Sequence, residues 1–403
     1  MRLKINNRDL EYSYYIFGLL LLTYFFAAFE GRQGIRADME QQASILFQIG
    51  AVIILGGLIL VVNKCFKSYY SVLKSNLLLI IITALAVLSF LWSVQPMHTL
   101  VRAFALVIVT AFGVLIAVRL KTDEILRLFY LVALIAAIVG LIYITLLPDL
   151  GIHRDHHYGS FRGTFGHRNQ FGRVMALGIA SIIALKLYGG YISNKMKISF
   201  MIFCGLLLLS QSATSILLGA LIGLTYVGLI FLKKVRTNKY VLYLYPAILL
   251  VMFSGILILN FEDILTALDR SPTLTGRVPF WFNALSLLFD QNIWIGFGYD
   301  AFFNDPSIAS LFVGWMPSSA HNGFLQLVLD LGLIGLVVML LIFIRIFIKI
   351  TQFSVLNKKH LWGFIILVYV LITNIPEAHL LNHSRIYWVI LVITLIKYNS
   401  RVN

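Results

Sequence analysis

Twelve long apolar stretches, separated by short polar segments, constrain this chain more than any other feature of its sequence. They lie at residues 13–29, 43–63, 77–93, 101–119, 126–147, 169–188, 197–210, 212–232, 240–260, 322–348, 361–376 and 384–398. A helix needs about 20 mostly apolar residues to cross a bilayer, and 60% of the 403 residues are hydrophobic. Only 12% are charged, about half the ~25% of soluble domains, which excludes a soluble domain, a disordered chain and a disulfide-stabilised scaffold. The sequence therefore predicts an all-α polytopic membrane protein with about twelve transmembrane helices in one membrane domain, residues 1–403.

The distribution of lysine predicts the orientation of these spans. With both termini in the cytoplasm, every lysine falls in an inner segment, as expected because cytoplasmic segments are enriched in Lys and Arg. Orientation thus accounts for the net charge of +15 and no nucleic-acid partner is expected, since no basic run alternates with aromatic residues on a soluble segment. Residues 1–29 resemble a signal peptide, but Ala27-Ala28-Phe29-Glu30 is a poor cleavage site, so we expect an uncleaved first span.

The cations on the predicted outer side are all arginines. They are Arg32, Arg36, Arg102, Arg154, Arg162, Arg168, Arg173, Arg270, Arg277 and Arg385. Arginine holds phosphate through a planar fork of two hydrogen bonds, whereas lysine is a hydrated point charge. Selection against outer lysines explains Arg32 and Arg36, which lie beside acidic residues. It explains Arg168 and Arg173 less well, because they lie at the start of a span, where a buried charge is costly.

Two predicted outer loops, residues 148–168 and 261–321, are longer than simple connectors. Long loops in compact proteins are usually functional. In the second loop, apolar residues between Arg277 and Phe289 recur at helical spacing, which predicts a short helix lying on the membrane interface. Such a helix either holds a site at headgroup depth or covers the top of the bundle.

Two of these outer segments combine glycine with arginine. The segment from Gly163 to Arg173 opens directly into a predicted span, and a second runs from Arg270 to Arg277. Helix N-termini attract anions through unpaired N–H groups and partial positive charge, so both segments are candidate seats for phosphate or pyrophosphate. The alternative for the first segment is a basic helix start that follows a glycine turn.

His321 lies at the outer start of the tenth predicted span. The positive end of a helix dipole disfavours imidazolium, which suits a histidine acting as a general base near neutral pH. Ser318 or Ser319 is a plausible helix cap. Asn322, Gln326 and Asp330 follow at intervals of four residues and form a polar stripe that is either functional or structural.

Two further groups contain ionisable or metal-ligating side chains. Glu377 lies in the last outer loop near Arg385 and is interpreted as at most an ion pair. His153, Asp155, His156 and His157 include adequate metal ligands, but their spacing matches no familiar site. We therefore predict no metal site.

Five segments together resemble the O-antigen ligase/Wzy-type polymerase superfamily over roughly residues 80–340. They are Trp92–Pro96 with Arg102, Gly163–Gly172, Thr273–Arg277 with Trp281, Gly296–Gly298, and Ala320–Leu325 with Leu331-Gly332. The stretch Pro272–Arg277 is most similar to the ExoQ-like exopolysaccharide polymerase branch. The resemblance implies twelve spans, a large periplasmic loop and a location in the bacterial inner membrane. It also implies glycan donors linked to undecaprenyl pyrophosphate, with no cofactor and no obligatory metal.

The resemblance matches the family's loop arginines to Arg168 and Arg277 and its essential histidine to His321. We therefore expect a polysaccharide polymerase that transfers a glycan from undecaprenyl pyrophosphate to a lipid-linked repeat unit on the periplasmic face, with inversion. The expected site residues are His321 as base, Arg168, Arg277, Arg162 and Arg173 on pyrophosphate, and Asn322, His167, Asn169 and Arg102 in support.

The expected partners are the lipid-linked donor, an acceptor glycolipid, the bilayer and a candidate chain-length regulator protein. Two alternatives stay open. An O-antigen ligase would transfer the same glycan to lipid A-core. A transporter of the lipid-linked glycan would need the arginines but not His321.

Overall fold

The computed structural model describes residues 7–27, 45–154, 157–234, 277–310, 312 and 317–399. Its helices are α1 (Asn7–Leu22), α2 (Ile45–Ser75), α3 (Leu77–Leu88), α4 (Pro96–Arg119), α5 (Thr122–Leu146), α6 (Arg168–Tyr188), α7 (Asn194–Leu209), α8 (Ala213–Lys234), α9 (Arg277–Gln291), α10 (Gly323–Leu356), α11 (Trp362–Thr373) and α12 (Ile386–Asn399). Single helical turns at Ser89–Leu91, Pro148–Gly151, Phe302–Asn304, Pro306–Ser310 and Lys358–Leu361 connect them. No β-strand occurs among the described residues.

The helices confirm an all-α polytopic membrane protein. Six of the described helices are long and apolar enough to cross a membrane, and two shorter ones are also apolar. Each predicted span coincides with a helix except 240–260, which lies outside the described residues. The total of twelve spans, the orientation and the domain limits remain predictions.

Helix α6 forms the centre of the bundle. Its most apolar stretch is 89% buried, whereas that of α2 is 22% buried. Helices α5, α7, α8 and α11 all pack against α6, while α2 presents Val52 and Leu60, each 68% exposed, on its outer surface. Exposed aliphatic side chains of this kind suit contact with lipid. Among the six long apolar helices described, the one that carries Arg168 and Arg173 is therefore the most enclosed by protein.

Contacts between loops gather at the two ends of the bundle, which we name after the predicted orientation. The inner end contains residues 8–12, 75–76, 119–124 and 397–399, joined by side-chain hydrogen bonds. The outer end contains residues 92–102, 149–173, 209–215, 295–305, 317–323 and 374–385. The residues that meet at each end of the bundle are those that the sequence analysis placed on the same side of the membrane.

Helix α10 is broken at Gly332, where φ is 64° and ψ is −165°. The break frees backbone groups that residues 293–298 pair instead: Leu333 N donates to Ile293 O at 2.9 Å and Phe297 N donates to Leu329 O at 2.8 Å. Glycine is required because a Cβ on Gly332 would lie 2.2 Å from the carbonyl carbon of Trp294. The continuous span predicted at 322–348 is therefore two helical segments held together by an outer loop.

The predicted interfacial helix is present as α9. Phe280, Ala284 and Leu288 are buried on one face and pack with Phe297 and Phe302. The opposite side exposes Phe282 by 73%. Helix α9 therefore covers the outer loops and also keeps an apolar face for lipid or a partner.

Candidate functional site

The start of α6 is occupied by histidines. His167 is the N-cap residue, and its Nδ1 accepts a hydrogen bond from Asn169 N at 3.2 Å. His153 Nε2 accepts one from Arg168 N at 3.1 Å. The expectation that this helix offers unpaired N–H groups to an anion is thus wrong for these two groups. Attraction for an anion must come from the arginine side chains and the helix dipole.

The rings of His153, His157 and His167 lie 5.2–5.6 Å apart between centroids. Among the described residues no group of histidine, cysteine or acidic side chains is arranged to hold a metal ion. Asp155 and His156 lie outside the described residues. The clustered imidazoles act here as caps and packing partners.

Two predicted pyrophosphate ligands have defined intramolecular contacts. Arg162 Nε and Nη2 donate to the carbonyl oxygens of Leu150 and Asp149, both at 3.0 Å, so that Arg162 braces the loop before α6. Arg173 is 4% exposed and its Nη1 lies 3.4 Å from Glu377 Oε1.

Glu377 joins Arg173 to His321. Its other oxygen, Oε2, lies 3.5 Å from His321 Nδ1. Arg173, His321, Glu377 and the neighbouring His379 are named the Glu377 cluster. Glu377 is thus part of an ion pair, as the sequence suggested, and it pairs with Arg173; Arg385 lies over the ring of Tyr24 at 3.8 Å.

Burial and neighbouring charges shift the pKa values of two side chains in the Glu377 cluster. Burial raises the pKa of Glu377, but Arg173 and His321 outweigh burial and hold that pKa well below its usual range. Burial, with Arg173 and Arg385, lowers the pKa of His379 well below its usual value. At neutral pH the cluster thus holds an ionised carboxylate beside His321 and a neutral His379.

Several polar atoms of the Glu377 cluster are buried without a hydrogen-bond partner among the described residues. They are Arg173 Nε and Nη1, His321 Nδ1, and both ring nitrogens of His379. Buried polar groups are nearly always paired, so each exception needs an explanation. Side chains that await a polar ligand or an ordered water provide one.

His321 lies two residues before α10, next to its N-cap, rather than in its first turn. The cap is Asn322, whose Oδ1 accepts from Phe324 N and Leu325 N at 3.0 Å each, and not Ser318 or Ser319. His321 has a positive φ of 48° and its side chain is 25% exposed. A histidine in this conformation is uncommon, and its position is held by contacts on both sides.

The loop before His321 is fixed by α9 and by the polar stripe of α10. Trp281 Nε1 donates to Ala320 O at 2.7 Å, and Ala320 N donates to Gln326 Oε1 at 3.0 Å. Gln326 Nε2 in turn donates to Asp330 Oδ1 at 3.0 Å. Gln326 and Asp330 are therefore structural in this arrangement, and they position His321 indirectly.

The backbone of Arg277 begins α9, and its side chain lies outside what the structure describes. Arg168 begins α6, and Arg173 follows five residues later on the same helix, about 7.5 Å along the axis. The proposed roles of these arginines on a phosphate group stay predictions.

A second polar group lies at the outer end of α4. His98 Nε2 is 3.3 Å, and Arg102 Nε 3.6 Å, from Asp300 Oδ2. Arg102 Nη1 donates to His383 Nε2 at 3.3 Å, and Tyr299 OH lies 3.3 Å from His383 Nδ1. We name His98, Arg102, Asp300 and His383 the Asp300 cluster.

The hydrogen bonds of the Asp300 cluster show which ring nitrogen of His383 carries the proton. Arg102 can only donate, so His383 Nε2 accepts and the proton lies on Nδ1. Tyr299 OH donates to Leu381 O at 2.7 Å and is free to accept from Nδ1. Burial outweighs the attraction of Asp300 and lowers the pKa of His383 to about 4, which agrees with a neutral ring.

Asp300 is held in the left-handed region with a φ of 58°. Such a conformation costs a residue with a Cβ about 1 kcal/mol or more, whereas a partly exposed ion pair contributes about 0–1 kcal/mol. Stability therefore gives no reason to prefer aspartate over glycine here. The carboxylate needs another explanation.

The sequence analysis gave Glu377 no role in the site, and it missed His379, His383, His98 and Asp300. The segments Trp92–Pro96 and Gly296–Gly298 were noted separately, yet they pack together: Trp92 Nε1 donates to Ile295 O and Val94 N to Phe297 O, both at 3.0 Å. The one available signal was the density of polar residues in the last outer loop, 374–385.

Comparison with known proteins gives one match. No curated protein matches the chain. Residues 198–340 match the family model described as O-antigen ligase, a segment that includes α9, the Asp300 backbone and His321 but less than half of the chain. The match supports a glycosyl-transfer function of the polymerase or ligase type. It confirms the resemblance of this chain to the O-antigen ligase/Wzy superfamily.

Proposed function

We propose that this protein is a metal-independent, inverting glycosyltransferase of the bacterial inner membrane, with its active site on the periplasmic face. It transfers a glycan from undecaprenyl pyrophosphate to a lipid-linked repeat unit and so acts as a polysaccharide polymerase. The observation that carries the proposal is the contact of His321 with the buried Glu377–Arg173 pair, with His321 inside the segment that matches the family.

His321 acts as the general base. With its Nδ1–H directed at Glu377, the other ring nitrogen, Nε2, is left to accept a proton from the acceptor hydroxyl. The 3.5 Å separation of His321 and Glu377 is long for a hydrogen bond, but such contacts commonly tighten when substrate binds. Glu377 then stabilises the imidazolium that forms.

The acceptor oxygen attacks the anomeric carbon of the donor, and the bond from that carbon to the pyrophosphate oxygen breaks. Arg168 and Arg277 neutralise the charge that develops on the leaving pyrophosphate, and fixed cations of this kind can do the work of a metal ion. Arg173 acts mainly by pairing with Glu377. Arg162 acts by holding the loop before α6 in place.

A ligase is the second candidate, favoured by the description of the matching family. A ligase would deliver the same glycan to lipid A-core, and the chemistry at His321 would be unchanged. A transporter would need a lipid-binding surface but no base.

Deletion of the gene, followed by complementation, tests the proposal. Gel analysis of surface polysaccharide should show loss of long chains, with a single repeat still attached to lipid A-core. Accumulation of free long chains would indicate a ligase. Complementation with His321→Ala should fail in either enzyme, whereas normal chain length with this variant would contradict catalysis and favour a transporter.

A further inference from the structure

The Asp300 cluster presents unused polar atoms at the outer end of the bundle. Asp300 Oδ2 is shared by His98 and Arg102, but Asp300 Oδ1 makes no hydrogen bond to any part of the chain that the structure describes. The side chains of His98, Arg102 and Asp300 are 25%, 26% and 32% exposed. Each side chain is thus anchored within the cluster and is also partly exposed to solvent.

The platform beneath these side chains is rigid. Thr99 Oγ1 donates to Tyr299 O at 2.9 Å, and Tyr299 N donates to Ser89 Oγ at 2.9 Å. Gly298 has a φ of 99°, and a Cβ there would lie 2.4 Å from Ser93. The backbone around Asp300 is therefore locked onto the start of α4, and the carboxylate is pre-oriented.

The donor and acceptor properties of the solvent-exposed polar atoms determine which ligand the cluster can bind. A carboxylate oxygen accepts, and a guanidinium only donates. A sugar hydroxyl does both, so neighbouring hydroxyls of one ring can satisfy Asp300 and Arg102 together. An anion would meet the Asp300 carboxylate, whose pKa lies below its usual value because His98, His383 and Arg102 outweigh its burial. A neutral saccharide fits, and a phosphate does not.

The position of the cluster indicates which saccharide it holds. The loop 374–385 joins both clusters, through Glu377 to His321 and through His383 to Arg102. His383 follows Glu377 by six positions, so their Cα atoms are at most about 22 Å apart. Along this chain of contacts, Arg173 lies on one side of Glu377 and the Asp300 cluster on the other. A glycan held by Asp300 would therefore not occupy the side chains assigned to the pyrophosphate.

We propose that His98, Arg102 and Asp300 form a binding site for the hydroxyl groups of the acceptor glycan. This inference rests on the proposed function, since it assigns the second substrate of the same active site. Half-buried Trp92, six residues before His98, is held through its indole N–H by the carbonyl oxygen of Ile295.

Binding of the free repeat-unit oligosaccharide tests the site without the pyrophosphate. The probe is released by mild acid from the lipid-linked intermediate of cells that lack the protein. Its affinity for the full chain in nanodiscs is measured by saturation-transfer NMR. We expect Asp300→Asn and Asp300→Gly to raise the dissociation constant at least tenfold. Both residues tolerate a positive φ, so both variants should keep the thermal stability of the parent.

Asp290→Asn is the matched control, because Asp290 is an exposed aspartate on nearby α9. It should bind the oligosaccharide like the parent, and excess inorganic pyrophosphate should not displace the sugar. Unchanged affinity in both Asp300 variants, or displacement by pyrophosphate, would overturn the inference. If Asp300→Asn loses binding while His321→Ala still elongates glycans in cells, the saccharide site stands and the catalytic proposal fails.

Discussion

The two ends of the bundle are both rich in charged residues, but they use charge differently. At the inner end Arg119 donates two hydrogen bonds to Glu11, at 2.7 and 2.8 Å, and Arg8 pairs with Glu124. These arginines are 34% and 71% exposed. At the outer end Arg173 is 4% exposed and has guanidinium nitrogens without a hydrogen-bond partner among the described residues. The inner charges are satisfied and hydrated, and the outer charges are buried and only partly satisfied.

The two ends of the bundle also differ in backbone conformation. Every described residue other than glycine with a positive φ lies at the outer end or, in the case of Tyr24, is hydrogen-bonded to Ser384 there. The inner end has none in the described part of the chain. The residues with a positive φ are Tyr24, Gln211, Asp300, His321 and Leu381. Strained backbone persists where surrounding structure over-determines it, and it concentrates at functional sites. The contrast indicates that the outer end is shaped for binding and chemistry, and the inner end for anchoring.

Loss of the Glu377 carboxylate should disturb the outer end most. Glu377→Gln leaves Arg173 buried without a counter-charge, which costs about 3–5 kcal/mol of unfolding free energy. Glycan transfer should fall at least tenfold in kcat, because His321 loses its orienting partner. Thermal unfolding and transfer assays of the purified protein measure both effects.

The double variant Arg173→Gln with Glu377→Gln separates stability from catalysis. Removal of both charges should recover most of the lost stability, because no unpaired buried charge is left, while transfer should stay low. Recovery of transfer along with stability would mean that Glu377 is only a structural partner of Arg173.

Acid should weaken the outer end before the inner end. The pKa of His383 falls to about 4 in the folded protein, against about 6.5 when unfolded. The unfolded chain then binds the extra proton first, so stability is lost as the pH falls from 6.5 towards 4. The loss from this group is up to about 3 kcal/mol. His383→Gln should flatten that part of the stability–pH curve in detergent.

A matched change at the inner end should have little effect at any of these pH values. Lys121→Gln removes an exposed cation at the inner end. An undiminished slope in His383→Gln, equal to that of Lys121→Gln, would show that His383 is not the titrating group.

The smallest effect is expected for the inner ion pair itself. Arg119→Gln removes its hydrogen bonds to Glu11, and a partly exposed pair contributes about 0–1 kcal/mol. Thermal stability should change within that range and transfer should not change. A loss of transfer comparable to that of Glu377→Gln would remove the distinction between the two ends.

The sequence predicted features whose signals are local. Apolar runs predicted the helices, and helical spacing after Arg277 predicted α9. These features depend on interactions between residues that are close in the sequence, so a short stretch of sequence is enough to predict them.

Pairings between distant segments could not be predicted in this way. Nothing near Glu377 in the sequence indicates that Arg173 and His321 are its neighbours, and nothing near Asp300 indicates His98. The break at Gly332 was also missed, because a lone glycine in an apolar run fits a helix as well as a kink. Residues 293–298, which form hydrogen bonds with the backbone groups freed by this break, are distant from Gly332 in the sequence.

The most direct test of the account is transfer by the purified protein in liposomes that contain undecaprenyl-pyrophosphate-linked repeat units, with a metal chelator present. The account predicts that the parent protein elongates glycans with inversion and releases undecaprenyl pyrophosphate. It predicts that His321→Ala, at equal abundance and thermal stability, does neither. Elongation by His321→Ala at the parental rate would contradict the central claim that this imidazole is the base.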